Sequence, residues 1–371
     1  MIVKHGYQAE THVVKTEDCY YLTLHRIPHG RLEAKNVKTN RPVVYLQHGL
    51  LCSSAHWVLG APDNSLGFLL ADAGYDVWLG NYRGNTYSQA HCHLQPKNES
   101  FWQFSWDEMG TYDIPAMIDK IRQVSGQDKM FYIGHSMGTT GLMVLANERP
   151  DYLEFIHMAS FLAPIAWVDH MKSPIHFIAP FSNSVAWIAN FLGGGKFLPS
   201  NFMLDIMAEM AGDRAMTDEI FSSVVFLLCG FDEAQLNKTM LETITKHTPA
   251  GTSTNTVVHY AQEVNNKKFA HFDHGKEGNL EHYKQENPTE YSVEALTIPV
   301  ATYWSQNDWL AQPQDVLRYL TALPNSYKVF KVPYESWNHL DYFWGIDAKN
   351  LLYPEVINNI NNFRSKIFYR D

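Results

Sequence analysis

One stretch of the chain constrains its fold more than any other: Met130-Phe-Tyr-Ile-Gly-His-Ser-Met-Gly-Thr-Thr-Gly-Leu-Met-Val-Leu-Ala146. Met130 to Ile133 predicts a short buried strand, and Leu142 to Ala146 predicts the first turns of a helix. Gly134-His-Ser-Met-Gly138 then forms a sharp turn, whose glycines suit a site with no room for a Cβ on either side of Ser136. This pattern between a strand and a helix is typical of a nucleophile elbow, in which the serine hydroxyl stands clear of the sheet. An ordinary tight turn that contains a serine stays open as the alternative until partners for Ser136 are found.

The first half of the chain alternates between strand and helix patterns. After an opening hairpin over Val13 to Ile27, a buried strand at Pro42 to Gln47 runs into His48-Gly-Leu-Leu51. Hydrolases built around a nucleophile elbow place a second oxyanion-hole amide after such a strand. Further elements are predicted at Ser65 to Ala73 (helix), Tyr75 to Leu79 (strand), Trp106 to Val124 (helix) and Phe155 to Ala163 (strand). The alternation predicts an α/β fold in which a mostly parallel central sheet has helices on both faces.

The alternation stops between about residues 165 and 289. This segment contains Gly193-Gly-Gly195 and amphipathic helix patterns rich in Phe, Met and Leu, such as Phe202 to Ala211 and Ile220 to Leu228. We therefore expect a hydrolase core formed by residues 1–164 and 290–371, with residues 165–289 inserted as a helical cap. Glycines can absorb the backbone change of a hinge, so the cap is expected to act as a lid; a fixed subdomain is the alternative.

Two polar residues follow the last predicted strands, where they can act on Ser136. Asp308 comes after a strand at Ile298 to Trp304, and His339 comes after a strand at Tyr327 to Val332. The order serine, aspartate, histidine is the chain order of the catalytic triad in this hydrolase architecture. Asp341 is a second candidate for the carboxylate that orients the histidine. It ranks below Asp308, because Asp308 occupies the post-strand position that the architecture uses.

Composition excludes some functions and leaves others open. The chain has 371 residues and a formal net charge of −10, and it contains no basic run, which argues against binding to nucleic acid. No apolar run reaches the length of a membrane-spanning helix. The N-terminus lacks a signal-peptide pattern, so the protein is expected to be cytosolic if Met1 is the true start, and secreted or lysosomal if a signal peptide lies outside this numbering. Asn98-Glu-Ser100 and Asn237-Lys-Thr239 are candidate glycosylation sites that permit secretion without proving it.

Cysteine and histidine spacing does not predict a metal site. The four cysteines, Cys19, Cys52, Cys92 and Cys229, are scattered and demand no disulfide framework. His271-Phe-Asp-His274 and His91-Cys-His93 resemble ligand clusters, but neither supplies a full ligand set at usable spacing. A serine triad needs no metal, so we expect neither a metal nor another cofactor.

Several blocks of the chain together resemble the animal acid lipase family, which includes gastric lipase and lysosomal acid lipase. They are Gly6-Tyr-Gln-Ala-Glu-Thr-His12, Leu22-Thr-Leu-His-Arg-Ile-Pro28, Gln47-His-Gly-Leu-Leu51, Trp78-Leu-Gly-Asn-Tyr-Arg-Gly-Asn85, Cys229-Gly-Phe231 and Trp337-Asn-His-Leu-Asp341. The resemblance covers nearly the whole chain and implies an α/β-hydrolase fold.

The same resemblance implies a role for each candidate site residue. Ser136 is expected to be the nucleophile, His339 the base and Asp308 its orienter, with the backbone amides of Leu50 and Met137 as the oxyanion hole. Family members commonly carry Gln where this chain has Met137, but the family uses the backbone N–H there, which Met supplies equally well. The digestive members also have a cysteine pair in the cap, whereas Cys229 has no nearby partner in the sequence.

These features together predict a carboxylic ester hydrolase that cleaves neutral lipids, either triacylglycerols or sterol esters, through an acyl-enzyme intermediate. We expect it to act as a monomer at a lipid–water interface. Two alternatives stay open: a hydrolase of the same fold that cleaves a soluble ester, a thioester or a peptide, and a lipid-binding relative without catalysis.

Overall fold

A computed structural model describes residues 1–32, 40–173, 195–197 and 229–368 of the chain. Its centre is a mixed sheet whose strands run in the spatial order β1-β2-β4-β3-β6-β7-β10-β11, with β5 paired to β2. The strands are β1 Glu10–Lys15, β2 Tyr20–Ile27, β3 Val43–Gln47, β4 Asp76–Leu79, β5 Ala90–His91, β6 Met130–His135, β7 Ile156–Leu162, β10 Val300–Trp304 and β11 Ser326–Lys331. A separate antiparallel pair joins β8 Lys196–Phe197 to β9 Thr252–Ser253.

The sheet is antiparallel at one side and parallel through its centre. Strand β2 pairs antiparallel with β1, β4 and β5, and every pairing from β4 across to β11 is parallel. The central strands β3, β4 and β6 are buried along their whole length, because parallel strands of this kind are covered on both faces. Their carboxyl ends meet at one edge of the sheet, which is where such folds carry their functional sites.

Among the described residues, some helices pack on this sheet and others belong to the predicted cap. They are α1 Leu66–Asp72, α2 Trp106–Glu108, α3 Ile114–Ser125, α4 Met137–Glu148, α5 Leu241–His247, α6 Thr254–Asn266, α7 Gly275–Tyr283, α8 Pro313–Ala322, α9 Asp341–Trp344, α10 Ala348–Leu351 and α11 Tyr353–Phe368. In the parts of the chain that the structure describes, no helix combines the length and apolar character that crossing a membrane requires.

Helix α3 illustrates why these segments become helical. Its buried residues Ile114, Met117, Ile118 and Ile121 recur every three or four positions, so they form one apolar face toward the core. The helix ends at Gly126, which adopts φ 71° and donates its N–H to the carbonyl of Arg122. A left-handed residue is the usual stop at a helix C-terminus, and glycine adopts that conformation without strain.

The predicted α/β fold with a mostly parallel central sheet is confirmed, and the strands that were predicted differ from their predicted bounds by a few residues at most. Two helix predictions were wrong in detail. The helix after Ser136 begins at Met137 rather than near Leu142, and the predicted helix from Trp106 is interrupted by a π-helical turn over Met109–Asp113. Packing explains the second difference: a Cβ on Gly110 would lie 2.8 Å from the carbonyl oxygen of Gly141, so this turn lies directly on helix α4.

The predicted cap is described only in part. Residues 229–289 contain helices α5, α6 and α7 and strand β9, and the partner of β9, strand β8, also belongs to the predicted cap. The predicted helices at Phe202 to Ala211 and Ile220 to Leu228 lie outside the described residues, as do Gly193 and Gly194. The boundaries at residues 165 and 289 therefore stay a prediction.

Candidate active site

Ser136 lies at the turn between strand β6 and helix α4. Its backbone has φ 54° and ψ −122°, a conformation that L-residues rarely adopt, and its N–H donates to the carbonyl of Leu162 at 3.0 Å. A Cβ on Gly134 would lie 2.8 Å from the carbonyl oxygen of Gly138, and one on Gly138 would collide with the carbonyl oxygen of Gln47. Any larger residue at either glycine position would clash. This strained turn between a strand and a helix has the form of the elbow that the sequence pattern predicts.

His339 and Asp308 are brought into direct contact. Nδ1 of His339 lies 2.8 Å from Oδ2 and 3.0 Å from Oδ1 of Asp308, and both side chains are buried. Oδ1 of Asp308 also accepts the N–H groups of Leu310 at 2.9 Å and Ala311 at 2.8 Å. These donors fix the carboxylate, so its direction toward the imidazole is set by the loop after β10.

His135 connects the elbow to the loop that carries His339. Its Nε2 lies 2.9 Å from the carbonyl oxygen of His339, and the two imidazole rings are 4.8 Å apart between centroids. Since Ser136 is the next residue in the chain, this contact brings the serine and the second imidazole to the same edge of the sheet. Burial holds the pKa of His135 well below its usual value, so its ring is neutral and packs as a polar core residue.

The segment after β3 packs directly against the serine. A Cβ on Gly49 would lie 2.8 Å from Cβ of Ser136, so only glycine permits this approach. Leu50, the next residue, is partly buried, and Met137 at the start of α4 is buried. The segment that carries Leu50 and the start of α4 at Met137 are thus both neighbours of Ser136.

His48 is a supporting residue that the sequence did not single out by role. Its Nε2 accepts the N–H of Tyr82 at 3.2 Å and lies 3.1 Å from Nδ2 of Asn85. Its Nδ1 lies 2.8 Å from the carbonyl oxygen of Gly49, which assigns the ring proton to Nδ1. Burial lowers the pKa of His48 to about 4, so the imidazole is neutral and supports the Gly49-Leu50 turn through its hydrogen bonds. The family-like block from Trp78 to Asn85 was the available signal.

A buried ion cluster stabilises the loop after β4 that contains Tyr82 and Asn85. The guanidinium of Arg83 is buried, and it donates through Nε to Asp113 at 2.7 Å and through Nη2 to Asp18 at 2.9 Å. Asp18 lies on the turn between β1 and β2, so the cluster links the opening hairpin to the loop after β4. Both contacts join residues far apart in the chain, and no local pattern indicates them.

The carboxyl of Asp341, the second candidate orienter, contacts the backbone of Asn338. Its Oδ2 accepts the backbone N–H of Asn338 at 2.6 Å. Burial first, and the neighbouring carboxyl of Asp232 next, raise the pKa of Asp341 well above its usual value. Because the carboxyl of Asp341 accepts the N–H of Asn338 while Asp308 contacts the imidazole of His339, the geometry favours Asp308.

The histidines of both clusters make other contacts. In His91-Cys-His93, Nε2 of His91 lies 3.1 Å from the carbonyl oxygen of Asp18, and Nδ1 of His91 accepts the N–H of His93 at 3.0 Å. His271 lies 3.5 Å from Asp107 and 3.2 Å from Glu148, and these carboxylates help to raise its pKa to about 9 against the opposing effect of burial. His274 stacks on His282 with a centroid separation of 4.1 Å. Within the described ranges, no group of three or more His, Cys, Asp or Glu side chains is arranged to hold a metal ion.

The fold and the site together define the class of this protein, which is an α/β hydrolase. A family model described as the alpha/beta hydrolase fold matches residues 42–346, and a second, described as a partial alpha/beta-hydrolase lipase region, matches residues 1–61. Among solved structures, the chain is similar to a monoacylglycerol lipase from Paleococcus ferrophilus, with a TM-score of 0.54, 15% identity, and 92% of this chain and 99% of that chain covered. A thermophilic esterase from Thermogutta terrifontis gives a TM-score of 0.52 at 13% identity, with 96% and 99% covered. At these identities the likeness shows the fold alone.

Relatives with higher identity narrow the class to one family. The chain is 42% identical to the gastric triacylglycerol lipase of Rattus norvegicus, with 96% of this chain and 89% of that protein covered. It is 40% identical to the human lysosomal acid lipase/cholesteryl ester hydrolase (97% and 89% covered) and 41% identical to Lipase lipl-1 of Caenorhabditis elegans (98% and 90% covered). This chain therefore belongs to the animal acid lipase family of α/β hydrolases.

Proposed function

We propose that this protein is a serine hydrolase that cleaves carboxylic esters of neutral lipids, either triacylglycerols or sterol esters. The observation that carries the proposal is the buried contact between His339 and Asp308 at the edge of the sheet where Ser136 occupies the elbow. The substrate class is supported by the 40–42% identity to relatives named as triacylglycerol lipases and a cholesteryl ester hydrolase.

In the proposed mechanism, Nε2 of His339 accepts the hydroxyl proton of Ser136 while Oγ attacks the ester carbonyl carbon. The backbone N–H groups of Leu50 and Met137 donate hydrogen bonds to the developing oxyanion, and Asp308 stabilises the imidazolium. The alcohol leaves with the proton from His339, which yields the acyl-enzyme. Water then attacks the acyl-enzyme with His339 as the base, and the fatty acid is released.

The test is hydrolysis of three esters by the purified protein: trioleoylglycerol, cholesteryl oleate and a short-chain nitrophenyl ester. Each is assayed near pH 5 and near pH 7.5, with the Ser136→Ala variant as the control. We expect turnover of at least one long-chain lipid that depends on Ser136. Turnover of the soluble ester alone would favour a soluble-ester hydrolase. A folded protein that hydrolyses none of them would favour a lipid-binding relative without catalysis.

The compartment and the partners belong to the same proposal. We propose that the protein is secreted or lysosomal and acts on lipid surfaces as a monomer, without nucleic-acid partners. Asn98 lies in an exposed segment, and Asn237 accepts the Thr239 hydroxyl of its own acceptor triplet at 2.7 Å. If these two asparagines carry glycans, peptide N-glycosidase should reduce the mass of protein expressed through a secretory pathway. The Asn98→Gln and Asn237→Gln variants should each remove part of that change.

A further inference from the structure

Two cysteines that are far apart in the sequence lie side by side at the edge of the sheet. Cys19 immediately precedes β2 and Cys92 immediately follows β5. These strands pair antiparallel with Tyr20 opposite His91 and Tyr21 opposite Ala90, so one further step sets Cys19 opposite Cys92. The N–H of Cys92 donates to the carbonyl of Cys19 at 3.0 Å, which shows that the pairing reaches the two cysteines.

This arrangement sets the two cysteines where a disulfide can join neighbouring strands, with Cys19 at φ 76° at the end of the turn. Residues that face each other in an antiparallel pair have Cα atoms about 4.5–5.5 Å apart, and disulfides join Cα atoms about 4.4–6.8 Å apart. The two side chains are also neighbours, because each thiol changes the pKa of the other. Both cysteines are only partly buried, so a small oxidant can reach them.

The surroundings make one thiol the better nucleophile. The neighbouring side chain of Cys19 lowers the pKa of Cys92, and the hydroxyl of Tyr21 and the ammonium of Lys15 act in the same direction. Tyr21 Oη lies 3.8 Å from Sγ of Cys92. The same pairing raises the pKa of Cys19. Cys92 therefore supplies the thiolate, and Cys19 supplies the thiol that completes a bond.

We propose that Cys19 and Cys92 are a disulfide-forming site that closes when the protein meets a small-molecule disulfide such as oxidised glutathione. The Cys92 thiolate attacks one sulfur of the small disulfide, which forms a mixed disulfide and releases one small thiolate. Cys19 then loses its proton to solvent and attacks Sγ of Cys92, which releases the second. The protein loses two electrons and two protons in total, and the small disulfide becomes two thiols.

The disulfide would stabilise the β1–β2 hairpin next to the loop that supports the candidate active site. Cys19 follows Asp18, whose carboxylate holds the buried guanidinium of Arg83. The loop that contains Arg83 also supplies Tyr82 and Asn85 to the neutral imidazole of His48. A covalent link at Cys19 ties this turn to β5, so it limits separation of the hairpin from that loop.

The other two cysteines serve as internal controls. Cys52 and Cys229 are buried and unbridged. Burial raises the pKa of Cys52 to about 12 and that of Cys229 well above its usual value. Both thiols should therefore stay reduced under conditions that oxidise the surface pair.

The experiment equilibrates the full chain in glutathione buffers of increasing oxidising strength, then blocks free thiols and maps peptides without reduction. We expect one cross-linked pair, between the peptides of Cys19 and Cys92, while Cys52 and Cys229 are blocked as free thiols. Reduction should lower the midpoint of thermal unfolding by several degrees, on the order of 5 °C. Four blocked thiols in the most oxidising buffer, separate glutathione adducts on Cys19 and Cys92, or a bridge to another cysteine would each overturn the proposal.

Serine variants separate the bond from simple packing. Cys19→Ser, Cys92→Ser and the double variant should all match the reduced wild type in their unfolding midpoint, and the second substitution should add nothing to the first. If the single variants destabilise the reduced protein as much as the oxidised protein, the cysteines contribute packing and not a bond, and the proposal fails.

Discussion

Nδ1 of His339 lies 2.8 Å from Oδ2 of Asp308, although the two residues are on separate loops after different strands. The nearer carboxyl in the sequence, Asp341, instead accepts the N–H of Asn338 at 2.6 Å. The choice of carboxylate is therefore made by how two loops converge at the edge of the sheet, and distance along the chain does not decide it.

This contact predicts how two isosteric substitutions rank. Asp308→Asn removes the anion that stabilises the His339 imidazolium and permits the wrong ring tautomer, so kcat should fall by about 10³–10⁴-fold. Asp341→Asn keeps an oxygen for the Asn338 N–H, so the loss should be less than about tenfold. Steady-state kinetics with a soluble ester would measure both variants. The opposite ranking would assign the orienting role to Asp341.

A fluorophosphonate probe should label Ser136 alone. Ser136→Ala should abolish labelling and lower turnover by about 10³-fold or more, while the circular dichroism spectrum is unchanged. Ser160→Ala is a matched control, since Ser160 is a buried serine on the neighbouring strand β7. That variant should keep full labelling. Probe incorporation in the Ser136→Ala protein would remove Ser136 as the nucleophile.

The oxyanion hole is expected to use the backbone of residue 137, so its side chain should matter little. Met137→Gln and Met137→Ala should keep kcat within a few-fold of wild type, because the N–H at the start of α4 is retained. Gly138→Ala should abolish probe labelling, because the added Cβ collides with the carbonyl of Gln47 behind the elbow. Thermal melts would show whether each variant is folded. A large loss in Met137→Ala would point to a side-chain role instead.

Glu263 should make the free energy of unfolding depend on pH. It is 2% exposed, neither of its carboxylate oxygens has a hydrogen-bond partner among the described residues, and burial raises its pKa well above the usual value. The nearby carboxyls of Asp107, Asp169 and Asp315 act in the same direction. A raised native pKa means that the folded state keeps a proton that the unfolded chain releases above about pH 4.3. This contribution to stability is full at lower pH and is lost as the pH rises toward the native pKa.

Glu263→Gln removes that dependence. As the pH rises from about 4 to 8, the free energy of unfolding of the variant should therefore increase relative to that of the wild type. The gain is at most about 1.4 kcal/mol per pH unit. Glu277→Gln, at an exposed position on helix α7, is the control and should show no such trend. Urea unfolding at several pH values gives both curves. Parallel curves for wild type and Glu263→Gln would mean that Glu263 is ionised in the folded protein.

The predicted cap is expected to open at a lipid surface. Turnover of a short-chain ester should rise sharply when its concentration passes the solubility limit, and micelles should speed amide exchange in part of residues 165–289. A smooth saturating curve with unchanged exchange would favour a fixed subdomain and a soluble-ester substrate.

Local patterns were sufficient for the main strands of the central sheet and for the three candidate triad residues. The elbow pattern around Ser136, the post-strand positions of Asp308 and His339, and the alternation of strands and helices all depend on short stretches of chain. Helix α4 was predicted to start too late, because its first turn is Met137-Gly-Thr-Thr140 and lacks an apolar period, although it is buried on all sides.

Only the tertiary structure decided what lies beside what. The support of His48 by Tyr82 and Asn85, the ion cluster of Arg83 and the pairing of Cys19 with Cys92 all join residues that are distant in the chain. A hydrophobic period specifies which face of an element is buried, but it does not specify which other element covers that face. Contacts of this kind follow from the order of strands in the sheet, so they become visible only when the chain is folded.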